Sequence, residues 1–141
     1  LNHMAVSSRA SYFFARIDGS IFRHDFRCPS GFTLLCRASG TISQLQTSGD
    51  FSFAASFGHT IAVWDTRYNK TSFMGVHPEK EDVSNCVEDF QIIQSRTICS
   101  LTEDTVYLWD RLNGKSEPYH ATNPVALFLA LKSQNSFKTA L

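Results

Sequence analysis

Thr60-Ile61-Ala62-Val63-Trp64-Asp65-Thr66-Arg67 is the stretch on which the reading of this sequence turns. A hydroxyl residue, an aliphatic, two intervening residues, a large aromatic and an Asp form a short run rich in strand-favouring side chains. Two other stretches align with it: Ser20-Ile21-Phe22-Arg23-His24-Asp25-Phe26-Arg27 and Thr105-Val106-Tyr107-Leu108-Trp109-Asp110-Arg111-Leu112. Positions 24, 64 and 109, each an aromatic or His before Asp, lie 40 and 45 residues apart. Self-similarity at that period means one supersecondary unit repeated along the chain.

Working outward, each copy is preceded by another strand-like run, at 12–17, 51–56 and 96–102. The runs are joined through Asp18-Gly19, Phe57-Gly58 and Glu103-Asp104, residue types suited to tight hairpin turns. Each unit is thus a β-hairpin whose second strand ends in the aromatic–Asp pair. Inner strands are expected at 42–50 and 87–94, and outer strands at 32–37, 71–77 and 115–120. The apolar run 125–132 reads as the inner strand of a further unit, with 137–141 opening its second strand. No long helical periodicity is evident. The acidic stretch 78–85 breaks the pattern and reads as a loop where a partner could be held.

A period of 40–45 ending in Trp-Asp resembles the WD-repeat family, whose units are the four-stranded blades of β-propellers. The densest match is 42–67, and the resemblance covers roughly 12–131. It implies an all-β chain, a partial propeller of about three to four blades. Residues 1–11 are then an N-terminal extension or remnant and 12–141 the propeller segment. Blade cores fall near 12–40, 42–77 and 87–120, with an incomplete blade at 124–141. A β-sandwich is the alternative fold. The family also implies a hydrogen-bonded brace within each blade, from a His, a Ser or Thr, a turn Asp and the Trp. The third unit fits best, with His77, Ser100, Glu103 or Asp104, and Trp109 followed by Asp110. The second retains Ser56, Trp64 and Asp65 but has Gly58 at the turn and no upstream His; the first has His24 in place of Trp. Independently of the family, a central-strand Trp buries a large area, so Trp64 and Trp109 read as structural.

Arg27 and Arg67 each follow the Asp by two positions. Trp-Asp-x-Arg after small residues such as Ala54-Ala55-Ser56 is similar to the box of substrate receptors of cullin-4 ubiquitin ligases. That likeness implies docking on the ligase's propeller adaptor through Arg27, Arg67, Asp65 and Arg23. Arg suits such a role through bidentate contacts at interface hot spots. Gly58 in place of an acidic turn residue, and Arg111-Leu112 in the third unit, depart from the pattern. The plainer reading is an Arg that caps its blade by pairing with the preceding Asp or with a neighbouring loop. The expected function is a non-enzymatic protein-interaction scaffold, in its most specific version such a receptor, with a propeller subunit of a trafficking, RNA-processing or chromatin assembly as the alternative.

Composition agrees with a packed β-rich chain: 43% hydrophobic, 18% charged and 13% aromatic, with 12 Phe among 141 residues. Thirteen basic and thirteen acidic residues cancel, so no strong field favours nucleic acid or an anionic membrane. Arg16, Arg23, Arg27 and Arg37 cluster toward the N-terminus and suit a solvated rim or an acidic protein partner. No apolar run approaches the roughly 20 residues of a membrane span. No secretory signal is evident. Cys28, Cys36, Cys86 and Cys99 lack metal or redox spacing and read as reduced thiols of a cytoplasmic or nuclear protein, a Cys28–Cys36 disulfide being the alternative. The Asn69-Lys70-Thr71 triplet is discounted as a chance glycosylation match. His3, His24, His59, His77 and His120 are scattered, and no phosphate loop or nucleophile turn appears, so neither catalysis, a metal nor a cofactor is expected. Propellers have typically 4–8 blades, so about three and a half would need further chain, a partner or a second copy to close a ring.

Overall fold

The computed structural model describes residues 3–6, 11–27, 31–47, 52–67, 70–78, 86–94, 96–120 and 122–140. Among the described residues, twelve strands form three four-stranded antiparallel sheets, and each sheet is a meander of consecutive strands. Sheet A holds β1 (His3–Val6), β2 (Ser11–Ala15), β3 (Ser20–Asp25) and β4 (Phe32–Arg37). Sheet B holds β5 (Gln44–Thr47), β6 (Ser52–Phe57), β7 (Thr60–Asp65) and β8 (Lys70–Val76). Sheet C holds β9 (Asp89–Gln94), β10 (Thr97–Leu101), β11 (Val106–Asp110) and β12 (Ser116–Tyr119). The architecture is all-β, with the hairpins and outer strands close to where the repeat predicts them.

Period-two alternation decides what each strand faces. In β7, Ala62 and Trp64 join Phe13, Ala15 and Ile21 of sheet A in one core, while Ile61 and Val63 join Phe90, Tyr107 and Trp109 of sheet C in the next. Sheet B is therefore buried on both faces, and β6 and β7 are apolar almost throughout. The first strands of sheets B and C are joined: Gln44 and Gln46 of β5 donate side-chain N–H to the Phe90 carbonyl of β9, at 3.3 and 2.7 Å, and Gln44 Oε1 accepts the Phe90 N–H at 3.0 Å. The last strands are the most exposed, β12 along its whole length.

Two expectations are corrected. Residues 124–141 do not begin a further blade, because Pro124–Ala140 is a helix, α1. An apolar run of seven residues, 125–131, fits a buried helix as well as a strand. The local signal favours the helix: Asn123 Oδ1 accepts the Ala126 N–H at 3.1 Å as an N-cap, and Pro124 occupies the first helical position. Phe128 of α1 packs on Cys99, Leu101 and Val106, covering the face of sheet C that points away from sheet B. The chain before residue 12 is also more than an extension, since β1 pairs with β2 in register from His3 opposite Ala15 to Val6 opposite Tyr12. Among the described residues, neither end of the row meets the other, and the three sheets do not close.

Candidate functional site

The most regular chemical feature is the corner where the third strand of each sheet ends in Asp. Asp25 Oδ1 accepts the backbone N–H of Arg27 at 2.9 Å, and its two oxygens hold Arg27 Nε and Nη2 at 3.0 and 2.8 Å. Asp65 holds Arg67 the same way, at 2.9, 3.1 and 2.8 Å. The Asp carboxylate thus closes the turn and grips the guanidinium in a two-point fork. Hydrogen bonds from the Arg side chain hold both carboxyls well below the ordinary carboxylate range. The Arg side chains are nonetheless open to solvent, 76% exposed at Arg27 and 53% at Arg67.

The third corner reaches the same arrangement by another route. Arg111-Leu112 supplies no Arg at the second position, yet Arg96 grips Asp110 through Nε and Nη2 at 3.0 and 2.8 Å, while the Leu112 N–H fills the backbone role at 2.9 Å. The Arg96 side chain lowers the Asp110 carboxyl to about 2. Sequence reasoning missed Arg96 because it lies 14 residues before its partner, and only the β10–β11 register brings the two together. All three Asp residues sit at the same end of equivalent strands, so the corners share one rim.

The brace is present in part. Trp109 Nε1 donates to Ser100 Oγ at 2.8 Å, and Ser100 Oγ lies 3.2 Å from His77 Nε2. His77 is 1% exposed, with its ring against Tyr107 and Trp109 at 4.4 and 5.0 Å. Burial pushes its pKa down to about 4. Asp104 does not complete the row: it accepts from Thr105 Oγ1 at 2.8 Å, and His77 Nδ1 has no hydrogen-bond partner. Ser56 is corrected as the second unit's counterpart of Ser100. Trp109 stands opposite Ile98 and Trp64 opposite Phe53, so counting from the Trp partner places Ala55, not Ser56, at the position of Ser100. A one-residue offset turns a strand side chain to the other face. Ser56 Oγ instead meets Ser43 Oγ at 2.8 Å, and Trp64 is held by stacking on Phe53 at 5.1 Å.

Arg23 lies within β3, which ends at Asp25, whereas Arg27 lies in the turn beyond it. Arg23 points with Ile21 and Asp25 toward sheet B, into a cleft of about 390 Å³ lined also by Thr33, Leu35 and Thr66. Asp25 on one wall and Thr66 on the other place this cleft between the first two corners. The opposite face of sheet A carries Tyr12, Phe14, Phe22, His24, Phe26 and Phe32, with neighbouring ring centroids 4.7 to 5.9 Å apart. Phe26 and Phe32 there are 57% and 58% exposed. Arg16 lies over Phe22 at 5.9 Å.

Cys36 and Cys99 carry free thiols whose pKa burial raises to about 12, and Cys86 is free and exposed. Cys28, Asn69 and most of the acidic stretch, 79–85, lie outside the described residues. Among the described residues, no helix is long and apolar enough to cross a membrane.

No protein-family model and no curated protein matches the chain. Among solved structures it is similar to two computationally designed proteins. Ika4 aligns over 86% of this chain and 72% of its own, at 16% identity and a TM-score of 0.66. Ika8 aligns over 84% of this chain but only 36% of its own, at 18% identity and a TM-score of 0.65, so the chain spans about a third of that protein's length. At such identities the likeness is one of fold.

Proposed function

We propose that this chain is a propeller-type scaffold of WD-repeat character that binds other proteins through its Asp–Arg rim. The observation that carries this reading is the recurrence of one solvent-exposed guanidinium, fixed by one carboxylate, at the same corner of three successive sheets. A gripped guanidinium has already lost much of its rotamer freedom, so a partner meets a preorganised hot spot at reduced entropic cost. The exposed face of sheet A is where a further sheet, from a partner or second copy, completes the row. The most specific version is docking of Arg27 and Arg67 on the propeller adaptor of a cullin-4 ubiquitin ligase, in the cytoplasm or nucleus.

The grip itself favours a second reading. If the Arg residues serve to close their corners, the chain is a propeller subunit of a trafficking, RNA-processing or chromatin assembly, and other surfaces contact the partners. Calorimetry with the purified adaptor separates the two. Under the ligase reading, the Arg27→Ala, Arg67→Ala double variant keeps its circular dichroism and loses at least tenfold in adaptor affinity. Absence of binding by the unmodified chain, or equal binding by the variant, removes the ligase reading.

A further inference from the structure

We propose that the cleft between sheets A and B is a carboxylate-binding site in which Arg23 and Thr33 receive the acidic group of a partner protein. The proposal deepens the scaffold reading, resting on it only for the source of the carboxylate.

The three sheets provide their own comparison. Two residues before the corner Asp stand Arg23, Val63 and Leu108. Val63 is fully buried against sheet C, and Leu108 packs in the core beneath α1. The register of β3 sends Arg23 in the corresponding direction, toward sheet B, from a row where Phe13 stands opposite it on one side and Thr33 on the other. Phe13 is buried on the same face. An aliphatic position in two sheets is therefore a guanidinium in the third. A local rule broken without a compensating contact within the fold marks a place where something outside the fold is expected.

The charges in the cleft do not balance among themselves. Asp25 is close enough for Arg23 to help hold its carboxyl ionised, but both Asp25 oxygens are already occupied by Arg27. Among the described residues, no carboxylate forms an ion pair with Arg23. Its Nε is buried and has no hydrogen-bond partner. Buried polar groups are almost always satisfied, and a charged donor left without an acceptor is among the costlier exceptions. Asp25 and Arg27 cancel, so among the described residues the cleft carries one uncompensated positive charge. Thr33, directly across the strand pair, adds a hydroxyl on the same face. A planar anion with two oxygens meets this pair end-on, its oxygens on the terminal nitrogens of the Arg23 guanidinium and the Thr33 hydroxyl as a further donor. A cleft of about 390 Å³ at the end of the A–B core admits a side chain or a chain terminus.

The test is a titration of the full chain followed through arginine Nε–Hε resonances, with the Arg23 signal assigned by its loss in Arg23→Met. Three probes are used at constant ionic strength: acetate, an acetyl-Gly-Glu-Gly amide and an acetyl-triglycine free acid. We expect a saturable shift of the Arg23 signal alone. Response to the Glu peptide assigns an acidic side chain as the source, response to the free acid assigns a C-terminus, and response to both assigns the carboxylate irrespective of source. Thr33→Val, which leaves the guanidinium in place, should weaken binding several-fold. This variant keeps the question open to test if Arg23→Met does not fold. No saturable shift with any probe, or an equal shift at Arg23 with chloride, overturns the proposal. Because Arg27 and Arg67 are untouched, that failure leaves the adaptor experiment standing on its own.

Discussion

At the scale of single residues, His77 ties stability to pH. Its ring is neutral in the fold because burial lowers its pKa to about 4, against an ordinary value of 6.5. Between these values the unfolded chain binds a proton that the folded one refuses, so stability falls as pH drops from 6.5 toward 4. The loss from this one group is on the order of 2 kcal/mol. Urea midpoints at pH 7 and pH 4.5 should therefore differ more in the natural chain than in His77→Gln. The carboxyls of Asp25, Asp65 and Asp110 are displaced the same way, downward, and withdraw their contribution only at still lower pH, as they protonate. Arg23 gives a second prediction of unusual sign. Replacing a half-buried, uncompensated guanidinium by the aliphatic its sister sheets use should stabilise the chain, and we expect Arg23→Leu to raise stability by about 1 kcal/mol. Thermal melts of the two proteins decide it. The same melts should show Trp109→Ala losing about 3–5 kcal/mol, since that change opens a cavity and strands Ser100 and His77.

At the scale of elements, close packing turns on two glycines. A Cβ at Gly19 would lie 2.7 Å from the Ala38 carbonyl oxygen and 2.8 Å from that of Gly40, and φ there is +85°, a conformation L side chains rarely adopt. The Gly19 carbonyl also accepts the Ala38 N–H at 2.8 Å, so the β2–β3 turn is clamped to the chain leaving β4. Gly75, in β8, lets the Trp109 ring of the next sheet approach, and an added Cβ would come within 2.8 Å of Cε3. A fused ring buried on both sides cannot swing aside. Gly75→Ala should therefore cost about 1–3 kcal/mol by forcing sheets B and C apart, read as a lower denaturant midpoint with an unchanged slope. The hairpins were legible in the sequence because strand alternation and turn residues repeat at fixed offsets, and Thr60–Asp65 is placed as the repeat implies. Less legible was β1: His3–Val6 is four residues with no turn signal of its own, recognisable only through β2. The brace was half legible, since Trp109 and Ser100 could be matched by type, but Ser56 could be set aside only once cross-strand partners were known. Arg96 was illegible for the same reason, as spacing along the chain does not encode who sits opposite whom.

At the scale of the whole molecule, the row of sheets is finished differently at its two ends, and α1 makes the difference. Sheet A presents bare aromatic rings, whereas sheet C is covered where Phe128, 1% exposed, drops onto Cys99, Leu101 and Val106. Leu127 and Leu131 flank that contact, and Lys132 reaches Asp89 of β9 at 3.8 Å. The helix therefore does for sheet C what sheet C does for sheet B: it removes an apolar face from water. That role fixes what should happen when it is loosened. Phe128→Ala removes a side chain of α1 that is fully buried in this contact and should cost about 3–5 kcal/mol if the space does not refill. A sharper readout is chemical. Cys99 is 1% exposed and burial pushes its thiol pKa up to about 12, so in the intact chain it should react with a thiol reagent only on opening. Cys86 is exposed and should label at once. In Phe128→Ala, Cys99 should label at least tenfold faster while Cys36, in the A–B core, keeps its slow rate. Equal acceleration at both thiols would mean that the chain opens as one unit and that α1 is part of a single cooperative core; acceleration at Cys99 alone would make α1 a separable cover over sheet C.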